Sequence, residues 1–246
     1  MTLLTIKLLT SHASVRKYKD VALPKETLYD IIRSGQHAAS SNFVQAYSVI
    51  HVTDNEKRSQ LAKLSNNPQQ ILSAGAVIVL CMDFYRVEKG ASLLGKEIDY
   101  SHAESLLVGA TDVALFAQNI AIAAESKGYG ICYIGGVRNA PQEISDLLNL
   151  PNGVAPMYAM TIGVPGEANE VKPRLPIEAI IHENDYNGDK YETIIPAYDK
   201  TMNDYYMSRG SNQKDAAWSD SMSAFLGEPR RTHMKDFLKK RGFKFN

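Results

Sequence analysis

The stretch LLVGATDVALFAQNIAIAAESKGYGICYIGG, residues 106–136, decides the predicted fold. When its first part, from Leu106 to Ser126, is written in rows of seven, five columns hold apolar or small residues and two are polar. A surface helix buries only one face, so this pattern predicts a helix that is enclosed nearly all round. Small residues such as Gly109 and Ala117 thin one side, where another helix could approach closely. Two interpretations stay open: a core helix within one chain, or the interface between two copies.

A membrane span is a third interpretation of this helix, and its polar residues argue against it. Thr111, Asp112, Gln118 and Asn119 lie within a segment that is barely long enough to cross a bilayer. Ionisable groups near the centre of a span are costly because they leave water. We therefore expect no membrane association.

The glycines that follow the helix predict a break, a strand and a turn. Gly128 ends the helix, and residues 129–134 alternate small, aromatic and β-branched side chains as a strand does. Gly135 and Gly136 then permit unusual φ angles and let a ligand lie directly on backbone N–H groups. Taken alone, such a pair is more typical of a turn than of a cofactor site. The order of helix and strand, with no third glycine, excludes a Rossmann fingerprint.

The composition is that of an ordinary globular protein, with 246 residues of which 44% are hydrophobic and 22% charged. Lys and Arg number 27, as do Asp and Glu, so no net charge points to nucleic acid or an anionic membrane. Residues 1–11 contain no continuous apolar run and no cleavage site, which predicts a cytoplasmic protein. Cys81 and Cys132 share no metal-ligand or redox spacing and are predicted to be buried free thiols. No metal site is predicted.

Two short polar runs contain side chains that suit a phosphate or a polar ligand. The first is Ser-His-Ala-Ser-Val-Arg-Lys-Tyr at 11–18, in which Arg16 offers a bidentate fork and Ser14 a neutral hydroxyl. A solvated basic turn is its simpler interpretation. The second is Ala-Ser-Ser-Asn-Phe-Val-Gln at 39–45, which could cap a helix or offer hydroxyls to a ligand.

Helices and strands are interspersed along the rest of the chain without clean βαβ repetition. The predicted helices cover residues 24–35, 56–64, 139–150 and 196–207, and helix returns after Trp218. The predicted strands cover 48–52, 76–82, 129–134 and 157–162, and residues 66–70 are predicted as a loop. This order favours an α+β fold around one sheet.

The composition changes beyond Pro165. Lys172-Pro173-Arg174 is a rigid basic turn in which a proline separates two cations, and residues 208–215 form a polar loop that also carries cations. With so little core of its own, this tail is expected to wrap the partner subunit of a dimer. We therefore predict a core at residues 1–166 and a C-terminal extension of the same domain at 167–246.

Four separated motifs in one fixed order resemble the oxygen-insensitive, NADPH-dependent FMN nitroreductases. They are the runs at 11–18 and 39–45, Gly-Tyr-Gly-Ile-Cys-Tyr-Ile-Gly-Gly-Val-Arg-Asn at 128–139, and Lys-Pro-Arg-Leu-Pro at 172–176. Tyr-Tyr-x-x-Arg-Gly-Ser-Asn at 205–212 and Trp-Ser-Asp at 218–220 extend the resemblance over essentially the whole chain.

The resemblance implies an α+β homodimer with a single mixed, mainly antiparallel sheet flanked by helices. It implies one FMN per subunit at the dimer interface, NADPH as donor and a small-molecule acceptor such as a nitroaromatic, a quinone or a flavin. Ping-pong kinetics are expected. The flavin carries the redox chemistry, so we expect no catalytic side chain.

The resemblance also implies particular cofactor-binding residues. The FMN phosphate would be held by His12, Ser14, Arg16, Lys172 and Arg174. The isoalloxazine would lie along Tyr133, Ile134, Gly135 and Gly136, with a glycine N–H near N5, because a side chain there would block hydride approach. Ser40 would contact the polar edge of the cofactor. The family often has Gln-Pro-Tyr in the loop before the second strand, and here Asn67 of Asn67-Pro68-Gln69 is the replacement candidate.

The nucleotide donor is assigned to the late polar loop. The resemblance implies that Arg209 binds the NADPH phosphates with a bidentate fork, while Lys214 adds a point charge where the family often has Arg. Arg231 is the predicted substrate-binding residue.

Two other functions compete with this interpretation. The first is a flavin or disulfide reductase of redox stress, in which nitro reduction is incidental. The second is a phosphate- or nucleic-acid-binding module without redox chemistry, which would use the basic turns at 16–19 and 172–174.

Overall fold

The computed structural model describes residues 2–209 and 213–245, which form two compact units. We call Met1–Asn169 with His233–Asn246 the core unit, and Glu170–Thr232 the excursion unit. The division predicted from the sequence, at residue 166, stays a prediction.

The core unit is built on one four-stranded sheet. Its strands are β1 (Tyr47–His51), β2 (Ala76–Asp83), β3 (Gly130–Ile134) and β4 (Val154–Gly163), in the order β1-β2-β4-β3. All neighbouring strands are antiparallel. The predicted α+β class is confirmed, and the sheet is antiparallel throughout where a mixed sheet was expected. All four predicted strands are present.

Eleven α-helices are found in the described residues. Those of the core unit are α1 (Thr2–Thr10), α2 (Lys25–Gly35), α3 (Asn55–Ser65), α4 (Pro68–Ser73), α5 (Tyr85–Leu93), α6 (Ala103–Ser126), α7 (Pro141–Leu147) and α11 (Met234–Lys240). Those of the excursion unit are α8 (Ile177–Ile180), α9 (Tyr191–Ser208) and α10 (Trp218–Leu226). Two 3-10 turns, Ser41–Phe43 and Gly135–Arg138, lie in the core unit.

The second strand divides the core unit into two hydrophobic clusters. Every residue of β2 is buried. Ile78, Leu80 and Met82 belong to the cluster on one face of the sheet. Val77, Val79 and Cys81 alternate with them and belong to the cluster on the other face. Because successive side chains of a strand point to opposite faces, an apolar run of this kind indicates a strand covered on both sides.

One face of helix α6 packs in the hydrophobic core. The opposite face is exposed to solvent in the single chain. Phe116 and Ile120 are buried in the first cluster. At Gly109 an added Cβ would lie 2.3 Å from the Met82 sulfur, so the predicted close approach is real but is made by a strand side chain. The opposite face leaves Leu107 62% and Leu115 42% exposed. Among the described helices, only α6 is long and apolar enough to cross a membrane, and its buried face packs as that of a core helix.

Four local predictions about the core unit need correction. Residues 66–70 are not wholly a loop, because Pro68 opens α4 at a position where its missing N–H costs nothing. Helix α7 begins at Pro141 rather than at Asn139, whose side-chain amide donates to the Ser65 carbonyl oxygen at 3.2 Å. That helix also ends at Leu147, earlier than predicted. Residues 85–93, which the pattern left unassigned, form α5.

In the excursion unit, α9 begins at Tyr191 rather than at Pro196, which lies inside the helix. Its buried face, Tyr198, Met202 and Tyr206, packs with partly buried neighbours such as Trp218. The excursion unit therefore has a small tyrosine-rich core of its own.

The two cysteines are buried and free, as predicted. Burial raises the pKa of the Cys81 thiol to about 12 and also raises that of Cys132. A thiol reacts as its thiolate, so both are inert in the folded protein.

Candidate functional site

The polar run at 11–18 lies beside β3. The Val15 N–H donates to the Ile131 carbonyl oxygen at 2.9 Å. An added Cβ on Gly130 would lie 2.3 Å from Val15 Cγ2, so the strand must carry glycine there. Val15 is buried, whereas Ser14 is half-buried and Arg16 is exposed. Ser14 and Arg16, two of the predicted phosphate-binding residues, thus lie on either side of the buried Val15.

Arg16 is a cation without a carboxylate partner among the described residues. Burial raises the pKa of the Cys132 thiol, and the positive charge of Arg16 opposes that rise. The charge of Arg16 therefore reaches β3, and it is free to attract an anion at this end of the strand.

His12 is fixed by a carboxylate. Its Nδ1 lies 2.5 Å from Glu125 Oε1 at the end of α6, and the two side chains are 29% and 14% exposed. The imidazole is thereby oriented, and Nε2 is the nitrogen that remains for a ligand.

The adjacent glycines at the end of β3 have different surroundings. Neither takes a positive φ, so the unusual φ angles expected there are wrong. An added Cβ on Gly136 would lie 2.1 Å from the Ser65 carbonyl oxygen and 2.4 Å from Asn67 Nδ2. An added Cβ on Gly135 would meet only the guanidinium of Arg138, at 3.3 Å. Gly136 is needed for packing inside the protein, and Gly135 leaves its side of the backbone open.

Asn67 lies beside the second glycine of the pair, Gly136. Its side-chain amide donates to the Ser65 carbonyl oxygen at 2.6 Å and lies against Gly136. The structure therefore brings Asn67 and the glycine pair together.

Tyr133 and Ile134 precede the glycines. Ile134 is only 2% exposed, so its side chain belongs to the core and only its backbone could contact a cofactor. Tyr133 is half-buried, its ring stands edge-on to Tyr158 at 5.3 Å, and its hydroxyl donates to Gln118 at 3.5 Å. Burial raises the pKa of the Tyr133 phenol, which therefore stays neutral.

Ser40 precedes the Ser41–Phe43 turn and makes no helix cap. Its hydroxyl oxygen accepts a hydrogen bond from the Gln45 N–H at 3.3 Å. The neighbouring N–H groups of Ser41 and Ala46 both donate to Asp112 of α6.

The excursion unit gathers its predicted phosphate-binding cations around α9. Lys172 Nζ lies 5.1 Å and Lys214 Nζ 4.2 Å from the centre of the Tyr206 ring. Arg209 lies over the Tyr205 ring at 5.9 Å. Arg174 donates to the Lys172 carbonyl oxygen at 2.6 Å. Sequence reasoning assigned these cations to two ligands, and the structure brings Lys172 and Lys214 to one tyrosine.

The pKa of Tyr206 reflects this crowding. Burial acts to raise it, but the hydrogen bond and charge of Lys172, with the charges of Lys214 and Arg209, lower it below its usual value. No carboxylate pairs with these cations among the described residues. Uncompensated like charges at one place favour a bound anion.

Gly210, Ser211 and Asn212 of the predicted nucleotide loop lie outside the described residues. Arg231 is half-buried with a φ of 53° in the excursion unit, and its role in substrate binding stays a prediction.

Comparison with known proteins places this chain in a family. Residues 9–164 match the model of the Nitroreductase family, and residues 172–246 match that of the Nitroreductase family, C-terminal domain. The chain belongs to the nitroreductase family and is an oxidoreductase.

Particular relatives cover nearly the whole chain. It is 54% identical to a CR(VI) reductase of Pseudomonas sp. (strain G-1), over 96% of this chain and 98% of the relative. It is 38% identical to the FMN reductase (NADPH) of Bacillus subtilis (strain 168), over 98% and 99%. The solved structure of NfrA1 nitroreductase from B. subtilis superposes with a TM-score of 0.94 at 38% identity, over 98% of this chain and 100% of that one. For the NADPH:FMN oxidoreductase of Vibrio harveyi complexed with NAD+, the TM-score is 0.89 at 35% identity, over 98% and 99%.

Sequence reasoning missed Asp112 and Arg138 in the core unit and Tyr206 in the excursion unit. Asp112 carried a signal, since it is a charged residue within an apolar helix, but the pattern could not say what it binds. Arg138 carried none beyond its place after the glycine pair. Tyr206 was visible only as one of two adjacent tyrosines.

Proposed function

We propose that this protein is an NADPH-dependent FMN oxidoreductase that delivers two electrons to a small acceptor. The observation that carries the proposal is the glycine pair at the end of β3, where an added Cβ on Gly135 would meet only the Arg138 guanidinium and Gly136 packs against Asn67. Near-full-length similarity to relatives named FMN reductase (NADPH) and NADPH-flavin oxidoreductase supports the same activity.

The residues at this place fit FMN. Arg16, which has no carboxylate partner among the described residues, lies beside the start of β3, and Gly135 follows its end. The four steps from Ile131 to Gly135 span roughly 13 Å in a strand, which gives a ribityl chain room between a phosphate and a ring. An added Cβ on Gly135 would meet only the Arg138 guanidinium, and the Asn67 amide lies against the neighbouring Gly136.

Each residue then has a physical role. The Arg16 guanidinium binds the phosphate with two parallel hydrogen bonds, while Ser14 donates its hydroxyl and His12 faces it with Nε2. The Gly135 N–H and the Tyr133 ring lie along the isoalloxazine, and Ser40 and Asn67 contact its polar edge. Lys172 and Arg174 remain proposed partners of the same phosphate. Bound by these residues, FMN would supply two-electron redox chemistry between NADPH and the acceptor.

NADPH selection is assigned to Arg209 and Lys214. Both lie beside the tyrosines of α9 with Lys172 nearby, which makes this part of the excursion unit an anion-binding surface. The 2′-phosphate distinguishes NADPH from NADH, and the Arg209 fork suits it.

The remaining candidate functions differ in the electron acceptor that the enzyme uses. Nitroaromatics, quinones and free flavins are the acceptors first proposed, with a flavin or disulfide reductase as the alternative emphasis. Chromate is a further candidate because the relative with 54% identity is named CR(VI) reductase. We propose a cytoplasmic homodimer that reacts by a ping-pong mechanism.

A steady-state comparison tests this proposal. The purified protein is assayed with NADPH against FMN, chromate, a nitrofuran, a quinone and a disulfide, and kcat/KM ranks the acceptors. Parallel double-reciprocal lines are expected for the preferred acceptor, since NADP+ leaves before the acceptor binds. A protein that purifies colourless and takes up no FMN would instead support the non-redox phosphate-binding module.

A further inference from the structure

The loop between α2 and β1, residues 40–46, has an unusual backbone. Asn42, Phe43 and Gln45 take φ values of 45°, 59° and 53°, in the left-handed region that side chains with a Cβ rarely adopt. The Phe43 side chain is also 80% exposed, although it is large and apolar. A backbone of this kind persists only where its surroundings hold it in place.

One buried carboxylate holds the two ends of this loop. Asp112 on α6 is 0% exposed. Its Oδ1 accepts a hydrogen bond from the Ser41 N–H at 2.9 Å, and its Oδ2 accepts one from the Ala46 N–H at 3.0 Å. Arg86 supports the loop from outside by donating to the carbonyl oxygens of Gln45 at 2.8 Å and Tyr47 at 2.6 Å.

The charge of Asp112 is costly where it lies. No cation pairs with it among the described residues, so two backbone N–H groups carry its stabilisation. A buried carboxylate is unfavourable unless its hydrogen bonds are well made, and an apolar residue would fill this place in α6 at less cost. An apolar residue could not, however, fix two N–H groups that lie five residues apart.

We propose that Asp112 is a positioning residue that holds the 40–46 loop in its cofactor-bound shape before FMN arrives. This inference rests on the proposed function, which puts Ser40 at the polar edge of FMN. A loop that is already ordered loses less conformational entropy on binding, so the cofactor is held more tightly. Asp112 touches neither cofactor nor substrate and acts through Ser40 and its neighbours.

The substitution Asp112→Asn tests the proposal. An amide can accept from one of the two N–H groups but presents its own N–H to the other, so one end of the loop is released. FMN dissociation is followed by flavin fluorescence after dilution of the holoenzyme, and amide hydrogen exchange is measured along the chain. We expect FMN affinity to fall about tenfold to a hundredfold. Faster exchange should be confined to residues 40–46.

Ser145→Ala is the matched control. Ser145 is 1% exposed in α7, and its hydroxyl donates to the Pro141 carbonyl oxygen at 2.7 Å. Its loss removes a buried hydrogen bond without touching the loop, so FMN affinity and loop exchange should stay at wild-type values. An equal loss of FMN in both variants would mean that Asp112 contributes only to the overall stability of the fold. That result would overturn the proposal.

Arg86→Ala covers the case in which Asp112→Asn does not fold. Arg86 is exposed and binds the loop from outside, so its loss should speed exchange in residues 40–46 and weaken FMN in the same direction, by less. Faster loop exchange with unchanged FMN affinity would overturn the inference while leaving the proposed function intact. A wild-type protein that binds no FMN would overturn the proposed function itself.

Discussion

At the scale of the residue, the two glycines after β3 are expected to respond differently to substitution by alanine. Gly136→Ala would place a Cβ 2.1 Å from a backbone oxygen of Ser65, which cannot rotate away. Overpacking of this kind costs about 1–3 kcal/mol. Gly135→Ala would meet only the flexible Arg138 side chain, at 3.3 Å.

We therefore expect Gly136→Ala to lower the urea midpoint of unfolding clearly, and Gly135→Ala to leave it near the wild-type value. Gly135→Ala should instead slow flavin reduction by NADPH in stopped flow, because a methyl group then stands between the backbone and the ring. Equal unfolding midpoints for the two variants, or normal flavin reduction in Gly135→Ala, would contradict this division of roles.

Arg16 and Lys17 are adjacent exposed cations, and only Arg16 is assigned to FMN. Arg16→Ala should weaken FMN binding by roughly 1.5–3 kcal/mol, the contribution of a hydrogen bond to a charged group. Lys17→Ala removes the same charge one position away and should change FMN affinity little. Equilibrium titration with FMN at moderate salt measures both. Wild-type affinity in Arg16→Ala would remove that residue from the site.

At the scale of the element, the sequence predicted what depends on local pattern. The apolar run of β2, the length of α6 and the glycine break before β3 are all visible in neighbouring residues. The short helices α4 and α5 were missed because a few residues carry little periodicity. The burial of Asp112 and the tight packing of Gly136 depend on segments distant in sequence, residues 41–46 and Ser65. No spacing along one chain segment encodes such contacts.

The choice of NADPH over NADH can be tested at helix α9 and the loop that follows it. Arg209→Ala should raise KM for NADPH severalfold or more and leave NADH turnover, FMN content and acceptor KM nearly unchanged. The reason is that the guanidinium is proposed to bind the 2′-phosphate, which NADH lacks. The increase in KM for NADPH should become smaller as the salt concentration rises.

Lys200→Ala is a suitable control on the same helix, since Lys200 is exposed and paired with Asp204 at 2.7 Å. It should leave both KM values unchanged. Equal losses for NADPH and NADH in Arg209→Ala would show that Arg209 does not distinguish the 2′-phosphate, and no loss for either would make the loop an ordinary solvated one.

At the scale of the whole molecule, the uncovered face of α6 argues for a second copy of the chain. Leu107 and Leu115 are 62% and 42% exposed on a helix whose other face is core. They lie eight residues apart, so they share one face, with Thr111 between them and Gln118 just beyond Leu115. An apolar stripe left open on a long helix is unfavourable in water, and self-association through a two-fold axis buries it on both subunits at once.

We therefore expect a dimer at micromolar concentration in sedimentation velocity. Leu115→Glu puts a charge into the centre of the stripe, and in a two-fold interface each substitution acts twice. The variant should shift to the monomer and lose FMN, since the resemblance places the cofactor at the subunit interface. Val21→Glu, a charge on an equally accessible apolar residue that is 51% exposed away from α6, should leave both the dimer and the flavin in place. A wild-type monomer that retains FMN would show that the open face of α6 serves neither dimerisation nor cofactor binding.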